Sequence, residues 1–314
     1  MCGSVALAPQ RTCNCAAYRH HVSCASSGTA LIGRPRFSAA LDKEAKIHFP
    51  FYLRFGPFAL HPHLPLELLA YIAGFLAYLR LRRSHGDSVS DASRWTAITA
   101  AVAGAALGSR ILYWFEDPAL TFAHWREPIY LLGGKTIVGA LIGGLLAVEW
   151  AKRRTGETHS TGDLFAAPLA LGIAIGRIGC FLTGLADHTY GVATSLPWGV
   201  DFGDGIRRHP TQLYESIFAL ALFFFLLRML KRPHRDGDVF KAFMIAYLGW
   251  RLAIDFLKPE VRIVGLGGIQ WACVVVLVYY GRDILRWLGV RKSREMQSNL
   301  DALSNVTSHD ARQT

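Results

Sequence analysis

About seven stretches of this 314-residue chain are apolar for long enough, or nearly so, to cross hydrocarbon as helices. They lie at about 64–82, 95–115, 129–151, 164–184, 211–230, 239–258 and 266–287. The bilayer core offers backbone amides no water, so runs of this kind must close their hydrogen bonds internally as helices. The expected fold is therefore an all-α integral membrane protein, a bundle of about seven transmembrane helices within residues 46–290. Just before the first run, Phe49-Pro50-Phe51-Tyr52 and Phe55-Gly56-Pro57-Phe58 are aromatic and broken by proline, which suits a segment at headgroup level. Residues 1–45 show neither a hydrophobic period nor a signal-peptide core and are expected to be a disordered tail, and 291–314 a polar cytosolic tail.

Composition decides between partners. A hydrophobic content of 52%, a charged content of 18% and a mean hydropathy of +0.25 exclude an ordinary soluble domain. The net charge of +11 would suit nucleic acid, but no nucleic-acid motif accompanies it. The basic residues fall instead between apolar runs: Arg80, Arg82, Arg83 and Arg94, then Lys152, Arg153 and Arg154, then Lys231, Arg232, Arg235 and Lys241. The alternate loops are poorer in them, so the positive-inside rule puts the N-terminus outside and the C-terminus in the cytosol. On that topology the polar, glycine-rich loop 185–210 faces outward. Of six cysteines, four (Cys2, Cys13, Cys15, Cys24) lie in the tail, and no spacing suggests a disulfide framework, a metal site or a cofactor motif.

The candidate chemistry sits inside the spans and at their outer ends. Arg177 lies within the fourth run, and Arg251 and Asp255 share a helix face at i, i+4 in the sixth. A charge at membrane depth marks a function by default, although Arg251 and Asp255 could simply neutralise each other and pin helices. Two arginines with one evident acid leave a positive pocket suited to an anionic headgroup, and the guanidinium fork suits phosphate. His209 precedes Pro210 and a helix opened by Thr211, with Gln212 and Glu215 in its first turns. His209 could be a general base or an interfacial cap; Glu215 fits helix-end chemistry. Gly133-Gly134-Lys135-Thr136 could cup a phosphate, Asp187 and His188 suit a solvated pair, and Cys180 suits a small buried residue.

The ordered set Gly176-Arg177-Ile178-Gly179-x-Phe181, Gly191, Leu196-Pro197-Trp198-Gly199 and Arg208-His209-Pro210-Thr211-Gln212-Leu213-Tyr214-Glu215 resembles bacterial prolipoprotein diacylglyceryl transferase. The likeness runs over roughly 47–287 and includes Gly143-Gly144, Asp163 and Tyr247 through Pro259. It implies a multi-pass protein of the bacterial plasma membrane with its active site toward the outer face. The reaction implied is transfer of a diacylglyceryl group from phosphatidylglycerol to a cysteine thiol of a lipoprotein precursor, without metal or organic cofactor. Arg177, Arg251, His209 and Asp255 would be the catalytic set, and Gly191, Arg208, Gln212 and Glu215, with the two arginines, would bind substrate. The chain departs from the family at Cys180 and Thr183, where the family has asparagines, at Leu185 for a glutamate, and at Val138 for a histidine. A family tyrosine falls near His63, and a glutamate is replaced by Asp255. Those changes leave a second reading open, a lipid-binding relative that kept the phosphate clamp and lost the chemistry. A transporter is the third, disfavoured because no internal repeat is visible.

Overall fold

The computed structural model describes residues 49, 51–55, 58–86 and 89–289, all within one compact unit, Ile47–Thr314. Both expected tails, 1–45 and 291–314, lie outside the described residues. The described chain is mostly helical. A hairpin of β1 (Leu53–Phe55) and β2 (Phe58–Leu60) occupies the aromatic stretch before the first run. The long helices are α1 (His63–His85), α2 (Asp91–Trp114), α5 (Ile137–Thr155), α6 (Asp163–Thr183), α7 (Thr211–Leu230) and α8 (Asp238–Ile254). Short helices α3 (Pro118–Ala123) and α4 (Pro128–Gly133) bridge α2 and α5. At the far end α9 (Gly268–Tyr279) and α10 (Gly281–Gly289) meet at 54°.

Four helices are long and apolar enough to cross a membrane: α1, α2, α6 with the turn that follows it, and α7; the bent pair α9–α10 would make a fifth. Two of the seven expected runs are therefore not single helices. The third breaks at Gly134–Thr136, where Thr136 leaves the helix and caps α5 by accepting a bond from Gly139 N at 3.2 Å. The seventh bends after Tyr279. Helix α5 also carries Glu149, Lys152, Arg153 and Arg154, and α8 is 17 residues long, so neither matches a full apolar span by length and composition. Outward-facing Leu64, Leu68, Leu69, Ile72, Phe75 and Leu76 keep one side of α1 exposed, as a lipid-facing helix requires.

Two packing devices hold the bundle. Helices α2 and α5 lie backbone to backbone: a Cβ on Gly108 would come 2.4 Å from Gly139 O, and one on Gly143 would come 2.2 Å from Gly104 O. Glycines four apart on both helices allow this approach, which replaces the hydrophobic driving force missing between helices in lipid. The second device is a core of α6, α7 and α8 side chains, with Leu226, Phe243, Met244, Tyr247 and Leu248 fully buried. Ser216 on α7 donates to Ala174 O of α6 at 2.7 Å inside it. Helices α6 and α8 run in the same direction, because Asp163 at the start of α6 accepts bonds from Gly237 N and Phe240 N at the start of α8, at 2.7 and 2.9 Å. Both end beside the first turn of α7.

Replacing Gly108 or Gly143 by leucine should force α2 and α5 apart and destabilise the protein by at least about 1–3 kcal/mol. Thermal unfolding in detergent checks this; Gly176, where an added Cβ would meet no other described residue within 4 Å, serves as the control position.

Candidate active site

The first turns of α7 carry a carboxylate into the gap between the ends of α6 and α8. Glu215 is 1% exposed, and a lone carboxylate there would cost several kcal/mol. It is compensated from both sides. Arg251 of α8 donates through Nη1 to Glu215 Oε2 at 3.0 Å, and Tyr247, one turn earlier on α8, donates its hydroxyl to Oε1 at 2.6 Å. Arg177 of α6 places Nε 2.9 Å from the same Oε2; its N–H is not aligned on the oxygen, so this contact is ionic rather than a formed hydrogen bond. Arg251 extends the chain through Nη2 to Asp255 Oδ2 at 3.0 Å, and Lys258 lies with Nζ 2.9 Å from Asp255 Oδ1. Three cationic side chains thus meet two carboxylates inside the network.

Some polar atoms here have no hydrogen-bond partner among the described residues: Gln212 Oε1 and Nε2, with Gln212 1% exposed, and Arg251 Nε. Gln212 and Glu215 lie three apart and share a face of α7. Two further carboxyls border the network from loops. Burial raises Glu116 above its ordinary value against the pull of Lys258 and Arg251, and pushes Glu260 up to about 7, with Asp255 adding to the rise.

The arrangement corrects several expectations. Glu215 is the hub shared by three side chains rather than helix-end chemistry, so the arginines have two acids, not one. Lys258 belongs to the network and was not foreseen. In the Gly133–Thr136 stretch Lys135 pairs with Glu67 at 2.7 Å, Thr136 caps α5, and a Cβ on Gly134 would meet the Tyr113 ring. Val138, 1% exposed, is part of the apolar core. Thr183 turns its hydroxyl back to Gly179 O of its own helix at 2.9 Å.

The candidates on the loop between α6 and α7 form a second layer. Gly191 N donates to His209 O at 2.9 Å, and a Cβ on Gly191 would meet His209 Cβ at 2.6 Å, so glycine is required there for close approach. Val192 N reaches Leu257 O at 2.7 Å and fastens the loop to the end of α8. His209 Nδ1 lies 3.3 Å from the Tyr214 hydroxyl, which accepts a bond from Trp198 Nε1 at 2.8 Å. Arg208 donates to Asp204 Oδ1 at 2.7 Å and lies over the Tyr190 ring, and that pairing lowers the Asp204 carboxyl pKa. Arg208 and His209 therefore brace the loop, whereas Arg177, Glu215, Arg251 and Asp255 meet in one network. Asp187 is not a solvated partner of His188; it gathers with His63 and Cys180, their ligand-type atoms within 4.8 Å of one another.

Glu215→Gln should remove the charge that compensates both arginines and destabilise the protein by about 3–5 kcal/mol, whereas Tyr247→Phe should cost about 1–3 kcal/mol. Chemical or thermal unfolding of both variants in one detergent tests the ranking.

The family model described as prolipoprotein diacylglyceryl transferase matches residues 50–284. Among similar proteins, the phosphatidylglycerol–prolipoprotein diacylglyceryl transferase of Bordetella avium is 32% identical over 257 residues, covering 78% of this chain and 96% of its own. The protein of the same name from Cupriavidus pinatubonensis is 32% identical over 271 residues, covering 77% and 94%. That from Paracidovorax citrulli is 29% identical over 262 residues, covering 77% and 96%. With three-quarters of its length matched, and with Arg177, Glu215 and Arg251 drawn together from three helices, the chain belongs to the prolipoprotein diacylglyceryl transferase family.

Proposed function

We propose that the chain transfers the diacylglyceryl group of phosphatidylglycerol to the cysteine thiol of a prolipoprotein, with the Arg177–Glu215–Arg251 network as its phosphate-facing centre. Family membership supports the reaction, as do the named activities of relatives that are covered over nearly their full length. The observation that carries the site assignment is the convergence of Arg177, Arg251 and Lys258 on two buried carboxylates where α6, α7 and α8 meet.

The chemistry asks for cationic groups. The acceptor thiolate attacks the glycerol carbon next to the phosphate, a C–S bond forms, the C–O bond breaks, and glycerol phosphate leaves with one more negative charge than the diester carried. A fixed positive field stabilises charge that grows in the transition state, and in a dry site it needs little reorganisation. Arg177 and Arg251 supply that field, Asp255 orients Arg251, and Glu215 holds the two guanidinium groups apart at a set distance. Gln212 offers a free amide to the lipid's oxygens from the face it shares with Glu215. Gly191 and Arg208 shape the loop over the headgroup. His209 takes the thiol proton, since the thiolate is the nucleophile and Val138 leaves no histidine in the core.

Purified protein incubated with labelled phosphatidylglycerol and a peptide bearing a lipobox cysteine should form a labelled thioether. Arg177→Ala and Arg251→Ala should each lower transfer and lipid binding by about tenfold or more, with Arg177→Lys a poor rescue. His209→Gln should stop transfer while lipid binding persists. Lipid binding without transfer in the unaltered chain would favour the non-catalytic relative, consistent with the substitutions at Val138, Cys180, Thr183 and Leu185.

We infer further that the site end of the bundle faces outward, with seven crossings in total: α5, α8 and the bent α9–α10 complete the set begun by the four apolar helices. The distribution of basic residues supports this orientation. Reporter fusions after residues 200 and 289 should report opposite compartments, the first outside; a cytosolic signal at 200 would reverse the topology.

A further inference from the structure

Three side chains from separated segments converge next to the arginine network and touch it only where Cys180 meets Arg177. His63 opens α1, Cys180 lies in the last turn of α6, and Asp187 closes the 3-10 turn Gly184–Asp187 that follows. One ligand-type atom from each lies within 4.8 Å of the others, and all three residues are half-buried. His63 Nδ1 is itself shielded from solvent, has no hydrogen-bond partner among the described residues, and faces Asp187 Oδ1 at 3.9 Å.

The surroundings treat these atoms as ligands are usually treated. His63 turns its other nitrogen, Nε2, toward Glu67 Oε2 at 3.6 Å, and Glu67 is held by Lys135 at 2.7 Å and by the Tyr71 hydroxyl at 3.0 Å. A carboxylate behind the distal nitrogen fixes a histidine's tautomer and ring orientation in metal centres. Asp187 uses its second oxygen, Oδ2, to accept from the Thr189 hydroxyl, which leaves Oδ1 toward His63. Cys180 Sγ lies 3.9 Å from Arg177 Nη1, a donor that stabilises a thiolate. On metal binding the Cys180 thiol gives up its proton, and a neutral imidazole, a thiolate and a carboxylate then carry two negative charges, which matches one divalent ion.

We propose that His63, Cys180 and Asp187 bind a divalent transition-metal ion of the zinc class. Mixed nitrogen, sulfur and oxygen donors favour a borderline ion over calcium or magnesium, and three protein donors leave a tetrahedral ion one position for water or an exogenous thiolate. Two of the three, His63 and Cys180, occupy places where the chain departs from the family pattern.

The test uses the full chain in detergent, reduced, stripped with a chelator and titrated with Co²⁺. The expected result is about one Co²⁺ per chain with a sulfur-to-cobalt charge-transfer band and tetrahedral d–d absorption, displaced by Zn²⁺. The band should vanish in Cys180→Ser, and Glu67→Gln should weaken binding by about tenfold while keeping it. Should Cys180→Ser fail to fold, Asp187→Asn, which keeps the side chain's size, should lower Co²⁺ affinity by at least about tenfold. An unaltered chain with no charge-transfer band overturns the proposal. So does a band that survives Cys180→Ser, since the ion would then sit on another thiol of the chain, and so does an affinity unchanged by Asp187→Asn.

Discussion

A single carboxylate, Glu215, organises the interior of this protein. Two guanidinium groups and a phenol from neighbouring helices close on its two oxygens, so α6, α7 and α8 can approach only in the arrangement that satisfies all of them at once. Burying such a set is costly unless it is complete, and a complete set discriminates sharply against alternative packings. The apolar core of Phe243, Met244, Leu226 and Leu248 supplies the mass of the contact, but apolar side chains slide past one another more readily than paired charges do. The same pairing that specifies the bundle gathers three cationic side chains, so structural and functional demands meet in one group of side chains.

The outer layer relies on backbone rather than charge. Gly191 allows the loop to lie directly against His209, and the bond from Val192 to Leu257 ties that loop to the segment carrying Asp255 and Lys258. Arg207 turns inward to its own loop, donating to Leu196 O, Pro197 O and Gly199 O, so the cationic character of the segment is largely spent on holding its shape.

Much of this was legible in the sequence, and the omissions have physical reasons. Arg177 inside an apolar run and Arg251–Asp255 at i, i+4 could be read directly, because helical periodicity places side chains within one element. Glu215 was visible, yet a carboxylate in the first turns of a helix is as easily explained by the helix dipole, and only tertiary structure separates those roles. Lys258 lies beyond the helical register of α8, past a 3-10 turn, so no spacing rule connects it to Asp255. His63, Cys180 and Asp187 come from segments that only folding brings together, and no ligand spacing could announce them. The breaks at Gly134–Thr136 and Tyr280 were missed because hydropathy records apolar length and is blind to direction.

Asp163 holds the start of α8 against α6, while the arginine network holds its other end through Glu215. A helix pinned at both extremities can neither slide nor turn against its neighbour, so the stretch between Asp238 and Arg251 acts as a gauge that sets where the guanidinium points. Inserting or deleting one residue in that stretch rotates everything beyond it by about 100°. The number of residues between the two anchors is therefore as constrained as the side chains that pack between them.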